Sequence, residues 1–424
     1  MKISFYTLGC RLNQSETASI RNSFEVGGYT VVDFDKPSDI AVINTCTVTE
    51  GGDTDTRRLV HRVNRLNPNA RIALVGCQAQ VQKERLATLP NVRWIVGNQK
   101  KMDLVDVFRR YPDPVQAEVI TPTIEREAFT IAVSSVDDRH TRANIKIQDG
   151  CDFFCSFCEI PYARGRARSR VFDDIIKEAR ILAQAGRREI VLTGINIGTY
   201  GHEGKKLMDV IARLEGIAGI DRIRISSIEP TTIPLEIFGR MGQGKLCRYL
   251  HIPLQSGHDD ILSAMKRKYT TGEFRNFIRG AYAQVPQICI GTDVIVGFPG
   301  ETDAQFADAE AFLRQEPIHY FHVFSYSQRQ MAKSKDMGEV VAPQTISKRS
   351  QILRDLSQRK RLMFYGSLIG TTQAVLFEEQ KGGFWTGLTD NYARVKVRSD
   401  TDLHNQLVPV RLEKMDGQAI YGEY

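Results

Sequence analysis

Short apolar runs alternate with helix-like stretches over the first 110 residues. Runs at 2–8, 40–44, 71–75 and 92–96 are rich in Ile, Val and Leu and too short to be buried helices. Between them, stretches such as 15–26 and 56–66 repeat apolar residues every three or four positions, the spacing of one helix face. Strands separated by helices predict a parallel sheet covered on both sides. Residues 111–142 hold three prolines and little periodicity, which predicts a linker with one strand pair.

A second alternating series follows. Strand-like runs at 144–148, 189–193, 222–226, 248–253, 288–296 and 320–325 are separated by helical spacing at 173–185, 207–214, 259–266, 271–282 and 304–314. Six βα units predict a partial (β/α)6 barrel, whose chemistry sits at the C-terminal strand ends. A basic helix over 345–362 leads into short alternating strands at 372–377, 392–397 and 406–412, enough for a small β-barrel. The expected fold class is therefore α/β with four segments: a sheet domain over 1–110, a linker over 111–142, the partial barrel over 143–365 and a β-barrel over 366–424.

Hydrophobic residues make up 42% and charged residues 25%, ordinary values for a globular protein. No apolar run reaches the length of a membrane span, and the first residues read as a strand rather than a signal peptide. The expected location is cytoplasmic, with no membrane partner. The eight cysteines are then metal ligands or buried thiols rather than disulfides. A net charge of +7 permits a polyanionic partner without requiring one.

Cys151, Cys155 and Cys158 stand in the spacing Cys-x3-Cys-x2-Cys, directly after a predicted strand. Three thiolates leave a metal centre with an open position, whereas a closed structural site takes four ligands. A zinc knuckle or a disulfide loop is the plainer reading, but no further Cys or His follows before His202. Cys10, Cys46 and Cys77 are far apart in sequence, yet each closely follows a predicted strand. Strand ends of a parallel sheet share one edge, so these thiols can converge on a second three-ligand site. The alternative is three core cysteines. Cys247 and Cys289 lack the pattern and read as core.

The Cys-x3-Cys-x2-Cys segment closely resembles the radical S-adenosylmethionine (SAM) enzymes. With the second cysteine set and the small β-domain, the whole chain resembles the methylthiotransferases of that superfamily. The likeness also rests on Thr193-Gly-Ile-Asn-Ile-Gly198, Ser226-Ser-Ile-Glu-Pro230, His251-Ile-Pro-Leu-Gln-Ser-Gly257 and Asp293-Val-Ile-Val-Gly-Phe-Pro-Gly-Glu301. The last segment looks like TRAM, a substrate-binding domain that is often RNA-directed. Asn13-Gln14-x-Glu16-Thr17 after Cys10 is similar to the MtaB type, which acts on N6-threonylcarbamoyladenosine at position 37 of tRNA. Isopentenyladenosine enzymes usually show Gln-Met-Asn there, and ribosomal-protein enzymes Pro-Lys-Asn. The usual Arg-x-Gly-Thr-x-Ala is absent; this chain has Tyr326-Ser-Gln-Arg329-Gln-Met-Ala-Lys333.

The resemblance implies two 4Fe–4S clusters, one on Cys151, Cys155 and Cys158 for radical chemistry and one on Cys10, Cys46 and Cys77 for sulfur handling. It implies SAM as cofactor, with Phe157 beside the adenine. Thr193 and Gly194 are expected at the SAM amino end, and Ser227, Glu229 and Gln255 at the ribose or carboxylate; each also reads plainly as a strand-end cap or turn residue. Expected partners are a tRNA anticodon stem-loop and an external electron donor such as flavodoxin or ferredoxin. Candidate RNA contacts are Arg164, Arg166, Arg168 and Arg170, then Arg57, Arg58 and Arg62, and the basic helix. Tyr392 is a candidate for base stacking, whereas Trp385 reads as core.

Overall fold

The computed structural model describes residues 1–131 and 141–424. Strands β1 (Lys2–Thr7), β2 (Thr30–Val32), β3 (Ile40–Thr45), β4 (Arg71–Gly76), β5 (Val92–Val96) and β6 (Glu118–Ile120) form a six-stranded sheet in the order β2-β1-β3-β4-β5-β6. All pairings are parallel. Every residue of β3 is buried, as a central strand with helices on both faces requires. Ile3, Ile20, Phe24, Trp94 and Phe108 pack on one face, and Ile43, Leu59, Val60, Leu74 and Ile95 on the other.

Part of the expected linker belongs to this sheet. Glu118–Ile120 pairs in parallel with β5 as an edge strand. Three residues are too few to show a period, and the pairing partner is not a hairpin neighbour. The part of that linker at 132–140 lies outside the described residues.

The central region has the six expected strands in the expected order, in two parallel halves. β7 (Arg142–Lys146), β8 (Glu189–Thr193) and β9 (Arg222–Ile225) form one half, and β10 (Tyr249–His251), β11 (Cys289–Val296) and β12 (Tyr320–Ser325) the other. A bridge between Ile223 and Leu246 joins them, and one apolar core runs through both, including Ile145, Ile190, Ile223, Leu250, Ile290 and Phe321. Reciprocal capping bonds fix the starts of two covering helices: Thr270 with Glu273 begins Thr271–Gln284, and Thr302 with Gln305 begins Asp303–Gln315.

The basic helix extends further than expected, over Pro343–Leu368. Its first half buries Leu353 and Leu356 against the central core, and its end buries Phe364, Tyr365 and Leu368 against the last domain. That domain is a closed barrel of β13 (Thr372–Lys381), β14 (Phe384–Thr389), β15 (Arg394–Val397), β16 (Leu407–Asp416) and β17 (Ala419–Glu423), in the order β13-β14-β15-β17-β16. Trp385 lies in its core. Arg222 and Arg224 donate to the carbonyls of Leu388 and Asp390, and Arg248 pairs with Asp390 at 2.7 Å, docking barrel on central region.

Candidate functional site

β1, β3 and β4 are neighbours in the sheet, so their C-terminal ends lie side by side, about 4.8 Å apart per strand. Cys10 caps the helix Arg11–Val26 just after β1, Cys46 follows β3, and Cys77 follows β4 at the head of the short helix Cys77–Val81. The crowding is tight: Gly9 has φ +91°, and a Cβ placed on it would stand 2.9 Å from the Cys46 Sγ. Burial, then the neighbouring Cys77 and Cys10, push the Cys46 thiol up to about 12.

The second triad lies on the loop after β7. Gly150, at φ +69°, starts it, and a Cβ there would meet the Arg166 carbonyl at 2.0 Å. Backbone N–H groups of Phe153 and Ile160 approach the sulfurs of Cys151 and Cys158 at 3.5 and 3.4 Å. Arg267 donates through Nη1 to Cys155 Sγ at 3.2 Å and forms a short ion pair with Glu229. Burial pushes the Cys151 thiol up to about 11, and raises Cys155 and Cys158 as well.

Burial thus holds Cys46, Cys151, Cys155 and Cys158 in the protonated form, and a bound metal is what would displace those protons. A tetrahedral zinc at about 2.3 Å from each sulfur would draw the sulfurs within about 4 Å of one another. Among the described residues, neither triad has its three sulfurs within 4.8 Å. The spacing, the N–H groups aimed at sulfur and the open fourth position fit a larger multi-iron group rather than a single ion.

A cavity of about 170 Å³ opens beside Cys158. Thr47, Val48 and Thr49, directly after Cys46, line one wall; Phe157, Cys158, Gln255, Asp293 and Tyr326 line the others. Of the expected SAM residues, Phe157 and Gln255 reach this cavity, Gln255 in a left-handed conformation at φ +72°. Thr193, Gly194, Ser227 and Glu229 are not among its lining residues. The Thr193 hydroxyl donates to the Ile145 carbonyl, and the N–H groups of Ile195 and Asn196, just after Gly194, both go to Gln148 Oε1. Ser227 is half-buried at the end of β9. Glu229 already has a partner in Arg267, and burial lifts its carboxyl above the usual range.

Asp293 also joins His251 (2.9 Å) and His322 (3.1 Å), in a line continued by Tyr320 and Tyr249. Burial acts to raise the Asp293 carboxyl, but the two histidines outweigh it and hold it well below the usual range. His322 faces a second cavity of about 480 Å³ between the central region and the barrel, lined by Arg142, Arg361, Tyr392, Arg394 and Lys396 among others. One wall thus serves both cavities.

The arginine run read as an RNA contact divides. Arg164 and Arg170 are fully buried: Arg170 pairs with Asp174 and Glu178, Arg168 with Asp149, and only Arg166 reaches solvent freely, with 56% of its side chain exposed. The acids of Arg170 lie only four and eight positions on, whereas those of Arg168 and Arg164, Asp149 and Glu16, lie 19 and 148 positions away. Arg57, Arg58 and Arg62 are exposed as expected, whereas Arg349 of the basic helix is buried against Glu301 and Asp303. Tyr392 lines the large cavity, its hydroxyl accepting from Arg11 at 2.6 Å. Arg267 went unnoticed in Lys266-Arg-Lys-Tyr269, where a basic run gave no sign of a thiol partner.

Residues 145–313 match the model of the Radical SAM superfamily, and residues 2–97 that of a family described as Uncharacterized protein family UPF0004. The chain is 38% identical to the threonylcarbamoyladenosine tRNA methylthiotransferase MtaB of Aquifex aeolicus, covering 93% of this chain and 96% of that protein. It is 35% identical to the protein of the same name from Bacillus subtilis, covering 97% and 94%. The chain belongs to the MtaB-type radical SAM methylthiotransferases. Among solved structures, this methylthiotransferase is similar in fold to the radical SAM methyltransferase TsrM from Kitasatospora setae (TM-score 0.57, 14% identity, 79% and 77% of the two chains). Among its described residues, no helix is long and apolar enough to cross a membrane.

Proposed function

We propose that this enzyme adds a methylthio group to carbon 2 of N6-threonylcarbamoyladenosine at position 37 of tRNA, in the cytoplasm, with electrons from a protein donor such as flavodoxin or ferredoxin. The observation that carries the reading is the pair of cysteine triads, one at three neighbouring strand ends and one on the loop after β7, with a small cavity lined by Cys158 and by Thr47, Val48 and Thr49, which follow Cys46. The target C–H bond is aromatic and unactivated, beyond the reach of any side-chain base. Cys151, Cys155 and Cys158 would hold one iron–sulfur cluster and Cys10, Cys46 and Cys77 another, which when bound would supply what the side chains lack, an electron for SAM cleavage at the first and sulfur at the second.

The chain's own residues bind and orient. Phe157 offers an apolar face for adenine and Gln255 a polar group beside it. Arg267 holds the Cys155 sulfur in place and is itself fixed by Glu229 and Tyr269. Thr193 and Gly194 set the turn after β8, and Ser227 lies at the next strand end. The cationic and aromatic residues of the larger cavity suit an RNA loop, where arginines meet phosphates and rings meet splayed bases. The substrate's threonyl carboxylate adds one more negative charge for them to meet.

Mass spectrometry of tRNA nucleosides from a deletion strain tests the reading. Loss of the 2-methylthio derivative supports it; persistence, with no paralogue present, overturns it. In the purified enzyme, Cys46→Ala is expected to keep reductive SAM cleavage to 5′-deoxyadenosine while methylthio product falls to background. Cys155→Ala loses both.

A further inference from the structure

Behind Cys77 lies a dry group of charges that does not balance. Arg164, with 0% of its surface exposed, uses all five of its N–H groups. Nη1 donates to Glu16 Oε1 (3.0 Å) and Asp149 Oδ1 (2.9 Å), Nη2 to Glu16 Oε2 (3.0 Å) and Asn13 Oδ1 (2.6 Å), and Nε to Cys77 Sγ (3.2 Å). Lys101 joins Glu16, Lys146 joins Glu16 and Asp149, and Arg168 joins Asp149. The cations are therefore Lys101, Lys146, Arg164 and Arg168, and the acids that pair with them among the described residues are Glu16 and Asp149. Burial acts to raise Glu16, yet Arg164, Lys101 and Lys146 hold it well below the usual carboxylate range, so it is ionised.

Lys146, Arg164 and the partly buried Arg168 alone outnumber the two acids, and Lys101, which burial lowers to about 8, adds a fourth positive charge below that pH. Buried charge persists only where an opposite charge compensates it. Besides the two acids and the uncharged Asn13 amide, Arg164 donates to the Cys77 sulfur, a group that carries negative charge when it ligates a metal. We propose that Arg164, backed by this excess, is a positioning residue that raises the reduction potential of the cluster ligated through Cys77; the proposal rests on the cluster assignment under Proposed function. Added negative charge is stabilised by nearby cations and by N–H groups donating to the ligand sulfur. Asn98 Nδ2 also stands 3.6 Å from that sulfur. The other triad differs in kind: Arg267 meets Cys155 but is neutralised by Glu229, one cation against one acid.

The experiment is a redox titration followed by electron paramagnetic resonance, with iron and sulfide analysis, on the full-length enzyme purified anaerobically. A variant with Cys10, Cys46 and Cys77 all changed to Ala identifies which signal belongs to the Cys77 side. Arg164→Gln should lower the midpoint of that signal by a factor of ten or more in its redox equilibrium, about 59 mV for one electron. Lys101→Gln leaves the sulfur contact intact and should shift the same signal in the same direction by less. It carries the test if Arg164→Gln does not fold. The Cys151 side should keep its midpoint in both and serves as the internal reference. Two clusters with unmoved midpoints in the folded variants overturn the proposal, as does an equal shift of both. A single cluster in the wild-type enzyme overturns the underlying assignment itself.

Discussion

Gly9 owes its place to two constraints that act together. Its φ of +91° disfavours any side chain, and the space a Cβ would take is filled by Cys46. Gly9→Ala should therefore cost about 1–2 kcal/mol in backbone strain and, beyond that, displace the Cys46 sulfur. We expect iron and sulfide per chain to fall by about half while 5′-deoxyadenosine release persists; full iron content in the variant would refute this. Glycine–cysteine pairs at 9–10, 76–77 and 150–151 were readable because strand ends can be located from apolar runs. The partners of Arg164 were not. Glu16 lies 148 positions away and Asp149 15, so the row of arginines read by itself reports a solvated face. The same blindness hid the role of Asn13 and Glu16, which read as a substrate signature and in the fold secure the sheet to the Cys151 loop.

At the level of elements, the segment that departs from the family pattern, Tyr326–Lys333, bridges the first and central domains. Arg329 donates to the Thr47 carbonyl and pairs with buried Asp53 at 3.0 Å, while Glu159 accepts from the Met331 N–H and the Thr47 hydroxyl. Removing one partner of a buried ion pair typically costs about 3–5 kcal/mol. Arg329→Met should fall at the low end, since Gln82 still donates to Asp53. A lowered urea midpoint with an unchanged slope would bear this out; an unmoved midpoint would count against the clamp. The longer strands were legible from the apolar stretches they carry, 40–43 in β3, 190–192 in β8 and 294–296 in β11. β2 and β6, at three residues each, were not: their pairing is decided by the neighbouring strand and not by their own pattern.

Across the whole molecule, the barrel is held to the central region by charge as well as by apolar packing around Tyr249 and Tyr320. Burial acts to raise the Asp390 carboxyl, but two N–H groups of Arg248 outweigh it and keep it below its ordinary range. The unfolded chain therefore takes up this proton first. The pair's contribution is complete above the unfolded value of about 3.9 and fades as pH falls through the lower folded value. Wild-type stability should exceed that of Asp390→Asn at pH 7 by about 1–3 kcal/mol, and the gap should close in acid; a gap independent of pH would contradict it. At the larger cavity, Arg394→Ala and Lys396→Ala should each weaken tRNA binding at all sequences and flatten the salt dependence by about one unit of slope. An unchanged slope would remove that cavity from the RNA path. The ion group beneath Cys77 draws Glu16 and Lys101 from one domain and Lys146, Asp149, Arg164 and Arg168 from the next. Severing the chain between those domains would uncover bare charge on both cut faces, so neither half is expected to survive as a free-standing module, and any swap of one domain for a cousin's must carry its ionic counterpart along.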